Sequence, residues 1–217
     1  MEKTKIVFAT GNRGKLREAS EILGEGFELF TPMDFGLTED IPETGTTLEE
    51  NSRQKAEYIF ERKGCDCFAD DTGLEVEALG GAPGVYTARY AGESKDFGKN
   101  MDKVLAELEA LEAQDPTTTR RARFRSVVSL ILNGEVHQFE GIMDGIIARE
   151  KSGRGGFGYD PVFIPDEYPG LTAADITEEQ KNEISHRGKA LRAMAAYLIS
   201  CHPERSEGSM RSEGSEP

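Results

Sequence analysis

The chain has 217 residues, 37% of them apolar and 30% charged, and carries a formal net charge of −14 at neutral pH. That length suits one domain with a substantial core, and the acidity excludes a protein that coats nucleic acid by releasing counterions from its phosphates. No apolar run is long enough to span a membrane, and Met1 to Lys5 does not open a secretory leader, so a cytoplasmic protein is expected.

A five-residue strand, Lys5 to Ala9, comes first and runs into the polar turn Thr10-Gly11-Asn12-Arg13-Gly14-Lys15. A helix is expected from about Gly14 to Leu23. Strand, glycine turn and helix start in succession present backbone N–H groups to a phosphate. The spacing is not that of the lysine phosphate loop GxxxxGK[ST], because Gly11 and Gly14 are three apart and Leu16 follows Lys15. A short strand, Phe27 to Phe30, follows. A second helix is expected over Thr46 to Arg62, entered through two overlapping capping boxes, Thr46 with Glu49 and Thr47 with Glu50. On it Asn51 and Lys55 share a face one turn apart, and Glu43 stands just ahead as an oxygen ligand for a metal.

Cys65 to Ala69 reads as a strand ending at Asp70-Asp71, with Thr72-Gly73 as a turn. In α/β folds ligands gather outside the carboxyl ends of strands. Alternation sends the two aspartates to opposite sides, and a carboxylate there can hold Mg²⁺ or take a proton from water. Gly80 to Gly84 reads as a tight loop and Asp96 to Ala113 as a third helix. Two long strands, Ala122 to Leu132 and Val136 to Arg149, are joined by Asn133-Gly134, a type I′ hairpin signal. The front half therefore alternates strands and helices while the back half adds an antiparallel hairpin, which makes an α/β fold with a mixed sheet.

Between Gly153 and Phe163, glycines frame Phe157, an arrangement suited to stacking on a planar base, and Tyr159-Asp160-Pro161 leads into a further strand. A last helix is expected from Thr177, with Gln180 completing its capping box. Its apolar stripe contains Gly188, which marks a close approach or a break capped by Ser185. Lys181, His186 and Arg187 gather near that helix start, where the dipole disfavours cations unless an anion or carbonyl ligand offsets them. From Cys201 the repeated Arg-Ser-Glu-Gly-Ser has no apolar face, so residues 201–217 read as a disordered tail after a domain of residues 1–200. Cys65, Cys67 and Cys201 have neither the number nor the spacing of a zinc site and read as free thiols.

Six of these stretches carry a resemblance. Ala9 to Asn12 with Lys15, Glu43-Thr44-Gly45 with Glu50-Asn51 and Lys55-Ala56, Ala69 to Leu74, Gly80 to Tyr86, Gly155 to Pro161, and Ile184 to Gly188 occur in this order within residues 5–200. Together they resemble the noncanonical purine nucleoside triphosphate pyrophosphatases, which act on inosine, deoxyinosine and xanthosine triphosphates (ITP, dITP, XTP). The resemblance implies an elongated mixed β-sheet flanked by helices, with two lobes and a central cleft, and a homodimer. It also implies Mg²⁺-dependent hydrolysis of a purine nucleoside triphosphate to the monophosphate and pyrophosphate, with no nucleic acid or membrane partner. Thr10, Gly11, Asn12, Arg13, Gly14 and Lys15 would cradle the triphosphate, with Asn51, Lys55, Thr72, Gly158 and Tyr159 as further substrate contacts. Asp71 would activate water and hold Mg²⁺ with Glu43. Phe157 would stack on the purine while Asp160, Lys181, His186 and Arg187 read its edge. Many members place a second acid before the Glu-Thr-Gly segment, where this chain has Pro42, and Thr72 stands where serine is common. Two other readings use the same residues: a nucleotide-binding regulator, which has no need of Asp71, and a pyrophosphatase for modified pyrimidine nucleotides.

Overall fold

The computed structural model describes residues 3–39 and 41–201. The expected tail lies outside the described residues except for Cys201, which ends the last helix. The strands are β1 (Thr4–Phe8), β2 (Phe27–Phe30), β3 (Cys67–Val76), β4 (Pro83–Gly84), β5 (Arg121–Leu132), β6 (Glu135–Ile147) and β7 (Phe163–Pro165). They form one mixed sheet in the order β2-β1-β3-β5-β6-β7, with β4 paired to β3. β1 runs parallel to β2 and β3, and every other pairing is antiparallel. The helices are α1 (Arg13–Leu23), α2 (Leu48–Lys63), α3 (Phe97–Gln114), α4 (Glu178–Ile184) and α5 (His186–Cys201). None of them is long and apolar enough to cross a membrane.

Local chemistry explains most boundaries. Asn12 caps α1 by accepting from the Gly14 and Lys15 amides, and Asp96 caps α3 by accepting from the Lys99 amide. Thr47 and Glu50 close the capping box of α2, so of the two overlapping boxes the second is used. Asn133 and Gly134 both take positive φ, 52° and 84°, as a type I′ hairpin requires. The last helical stretch is two helices: Ser185 is extended between α4 and α5, and its hydroxyl accepts from the Gly188 amide.

The largest departure from the sequence reading is in β3, and a smaller one is β4, which lies in the expected loop Gly80 to Gly84. The strand expected to stop at Ala69 continues to Val76, so Asp70 and Asp71 lie mid-strand and Thr72-Gly73 is not a turn. The ladder to β5 carries unbroken from Cys67↔Ile131 to Val76↔Ala122, and this tertiary pairing overrides the poor strand propensity of aspartate and glycine. Gly73 has its own reason to be there. A Cβ at that position would lie 2.8 Å from the Gly84 carbonyl oxygen, where β4 crosses close to β3.

The apolar core is interrupted halfway along the sheet. On one face Phe8, Phe68, Val128 and Leu130 pack with Leu191 and Met194 of α5. Farther along the same strands Leu74, Phe124 and Met143 belong to a second cluster with Val104 and Leu108 of α3. Between them lies a row of small and polar residues in register, Thr72↔Ser126 and Ser126↔Gly141. The opposite face at the β1 end packs Ala69 and Ile131 against Ala56 and Ile59 of α2. The sheet thus has two apolar ends joined across a polar waist.

Candidate active site

The waist positions the charged residues. Alternation along β3 turns Asp70 toward α1 and α5, and Asp71 toward α2. The two carboxylates therefore meet different partners, and the electrostatics of each differ accordingly.

Asp70 is 2% exposed. One oxygen accepts from the Lys15 ammonium and the other from the Arg187 Nε, each at 2.9 Å. Burial opposes its charge, yet Lys15, Arg187 and Lys55 outweigh burial and hold the carboxyl far below the usual aspartate range. Arg187 also donates through Nη1 to Glu18 of α1. Its guanidinium is thus engaged by two carboxylates, whereas the sequence reading gives it to the purine edge. Burial, helped by the neighbouring Lys55 and Arg187, lowers the Lys15 pKa despite Asp70.

Asp71 faces a different balance. Burial pushes its carboxyl above the ordinary aspartate value, past the opposing pull of Lys55 and Lys15, with Glu43 adding to the rise. Lys55, itself only 6% exposed, donates to Glu43 at 2.6 Å and to Asp71 at 3.0 Å. Burial disfavours the ammonium, but Asp71, Asp70 and Glu43 raise its pKa overall. Asn51 is buried, and its side-chain oxygen accepts from the Gly45 amide at 2.8 Å. It therefore fixes the turn that carries Glu43, a positioning task distinct from the substrate contact expected of it.

No group of three or more His, Cys, Asp or Glu side chains converges to hold a metal among the described residues. Glu43 and Asp71 nevertheless aim two hard oxygen donors at one point of positive charge. That donor set fits a cation such as Mg²⁺, which takes one or two carboxylates and completes its shell with phosphate oxygens and water.

In the phosphate turn the Asn12 side-chain oxygen accepts from Gly14 and Lys15, and the Asn12 amide donates to Thr10 Oγ1 at 3.1 Å. The turn is thereby held at the start of α1, next to Lys15. Thr72 Oγ1 lies 3.1 Å from Ser126 Oγ and 3.4 Å from Asp70 Oδ2.

The aromatic segment closes the other side. Phe157 is 47% exposed and meets Phe97 edge to face. Asp160 is buried and accepts from the Phe157 amide at 2.6 Å and from the Lys181 ammonium at 2.5 Å. Gly156 permits this closure, since it takes φ +71° and a side chain there would collide with the Asp160 carboxylate. Gly158 also takes positive φ, +69°. Tyr159 does not face the site: it is 1% exposed in the core and donates to the Thr87 carbonyl at 2.9 Å. His186 stacks on Phe124 with ring centroids 4.9 Å apart. Burial, then Arg187 and Lys181, hold its pKa well below the usual value, so the imidazole is neutral. Its Nδ1 is buried without a hydrogen-bond partner.

Three contributors have weak sequence signals. Glu18 shares a face of α1 with Lys15 at i+3, which was readable. Ser126 and Gly141 become visible only through strand register. A Cβ on Gly141 would collide with the His186 carbonyl and lie 2.6 Å from the Ala190 amide nitrogen, so α5 sits on the sheet only because this residue is glycine. Gly141→Ala is expected to lower stability by about 1–3 kcal/mol through overpacking. It should also lower nucleotide kcat/KM by roughly 10- to 100-fold by displacing His186 and Arg187. Melting curves and steady-state kinetics check this, and unchanged kinetics would show that the seat of α5 does not set the site.

The chain matches the model of the Ham1 family over residues 6–197. It belongs to the Ham1 family. It is 48% identical over 194 residues to the dITP/XTP pyrophosphatase of Flavobacterium psychrophilum, covering 89% of this chain and 98% of that relative. It is 44% identical over 196 residues to the dITP/XTP pyrophosphatase of Bacillus subtilis, covering 89% and 96%. Among solved Ham1 structures, the Staphylococcus aureus protein superposes with a TM-score of 0.80 at 37% identity, covering 91% of this chain and 99% of that one. The Coxiella burnetii HAM1 protein gives 0.80 at 39% identity, with the same coverage.

Proposed function

We propose that this chain hydrolyses noncanonical purine nucleoside triphosphates, ITP, dITP and XTP, to the monophosphate and pyrophosphate. The observation that carries this is the near full-length similarity to Ham1 relatives named dITP/XTP pyrophosphatases. The geometry supports it. Lys15 and the Thr10–Lys15 turn suit a triphosphate at the start of α1, Asp71 is the less neutralised of the two aspartates and takes a proton from water attacking the α-phosphorus, and Phe157 is the exposed ring for the base. Asp70 is the counter-ion that holds Lys15 and Arg187 in place. Mg²⁺, bound by Glu43 and Asp71, would supply charge for the departing pyrophosphate. The same reading includes a homodimer and a cytoplasmic setting, which suits three free cysteines.

Base choice follows from the polar atoms left open. A 6-oxo group accepts hydrogen bonds where adenine presents an amine, and leaving buried donors unpaired costs about 1–3 kcal/mol each. Pyrophosphate release should therefore be much faster from ITP than from ATP in kcat/KM, and Phe157→Ala should raise KM for ITP more than it lowers kcat. A nucleotide panel checks both, with modified pyrimidine nucleotides included. Equal kcat/KM for ITP and ATP would overturn the purine reading, and absence of pyrophosphate release would leave a binding protein.

A further inference from the structure

We propose that Lys55 is a latch on the metal site: its ammonium holds Glu43 and Asp71 together in the free protein, so a divalent cation is admitted only when a triphosphate draws the lysine away. The proposal rests on the pyrophosphatase reading and on Glu43 and Asp71 as the metal carboxylates.

The latch is built on one helix. Lys55 reaches from α2 to Glu43 at 2.6 Å and to Asp71 at 3.0 Å, while Asn51, one turn earlier, accepts from the Gly45 amide and fixes the turn bearing Glu43. The lysine side chain is 7% exposed and that of Asp71 13%, so water screens the contact poorly. Of the other cations nearby, Lys15 and Arg187 pair with Asp70, Arg187 with Glu18 as well, and Arg89, whose charge also acts on Glu43, lies over the Tyr86 ring. Lys55 is the ammonium that hydrogen-bonds to both carboxylates.

A dication arriving alone would compete with that ammonium for the same two carboxylates. Lys55 would be left buried beside a like charge, a costly state, and the other carboxylate near it, Asp70, is already shared by Lys15 and Arg187. A triphosphate changes the outcome because it brings oxygen acceptors. The ammonium then exchanges carboxylate for phosphate with no loss of charge-assisted hydrogen bonds, and the carboxylates are released to the cation. Coupling of this kind is reciprocal, so metal must strengthen nucleotide binding by the factor that nucleotide strengthens metal binding.

Mn²⁺ is the probe, with free Mn²⁺ read by electron paramagnetic resonance and no turnover required. Wild-type protein should bind Mn²⁺ weakly alone and at least about 10-fold more tightly in the presence of a non-cleavable α,β-imido ITP. Lys55→Met, which keeps the apolar stem, should bind Mn²⁺ alone at least about 10-fold more tightly than wild type and lose most of the nucleotide effect. The wild-type comparison stands even if the variant does not fold. Equal Mn²⁺ affinity of wild type with and without the analogue overturns the latch, as does equal nucleotide-free affinity of wild type and variant. If the analogue binds but Mn²⁺ does so in neither protein, the Glu43–Asp71 metal site itself is wrong and the latch falls with it, whereas ITP hydrolysis, assayed separately, tests the pyrophosphatase reading.

Discussion

Asp71→Asn is expected to lower ITP turnover by roughly 10² to 10⁴ while leaving nucleotide binding measurable. The substitution keeps the shape of the side chain and removes the proton acceptor and one negative charge. Asp71 is the less neutralised of the paired aspartates, since burial raises its pKa and one lysine contact at 3.0 Å answers it. A carboxylate in that condition is a stronger base than one clamped between two cations, which is why the role falls to Asp71 and not to Asp70. Lys55 keeps Glu43 as a partner at 2.6 Å, so the melting temperature of the variant should stay close to that of wild type. Single-turnover kinetics with ITP, alongside titration of the non-cleavable analogue, decide the point. Wild-type turnover would remove Asp71 from the chemistry.

Asp70→Asn should behave in the opposite way, with stability as its first casualty. The asparagine offers one oxygen where the aspartate gave two, and its amide would point a donor at a cation. Buried Arg187 would then keep Glu18 as its carboxylate, and half-buried Lys15 would lose the carboxylate it pairs with. Breaking a buried ion pair by removing one partner costs about 3–5 kcal/mol. For a chain of this size that corresponds to a fall in Tm on the order of 10 °C. Activity should fall too, because Lys15 would no longer be held beside the phosphate turn. Thermal melts of the two variants side by side make the test, and an Asp70→Asn protein that melts like wild type would show that its cations find other partners.

Much of this was legible in the sequence because it is local. Capping by Thr47 and Thr177, the Asn133-Gly134 hairpin and the break at Ser185 are each set by a few neighbouring residues, and the structure has them where the sequence puts them. The opposed directions of Asp70 and Asp71 follow from strand periodicity alone. What was not legible depends on partners far along the chain. β3 extends past its aspartates because β5 pairs with it for ten residues, and no window around Ala69 contains that fact. Arg187 reads as a free cation near a helix start until Asp70 and Glu18, 117 and 169 positions away, are brought to it. Tyr159 sits in a loop rich in glycine, yet Thr87 supplies the acceptor that lets its hydroxyl be buried.

The polar waist also shapes how the molecule can come apart. Local opening follows contiguous apolar contacts, and here the contacts of Phe68 and Leu191 end where those of Leu74 and Phe124 begin, with Thr72, Ser126 and Gly141 between them. β3 and β5 run through both ends, so the two halves share backbone and a small number of side-chain links on that face, the stacking of His186 on Phe124 among them. Each half can loosen without first dissolving the other. The candidate site therefore lies on a natural seam, and a ligand that bridges Lys15 to Phe157 would act as a staple across two partly independent cooperative units.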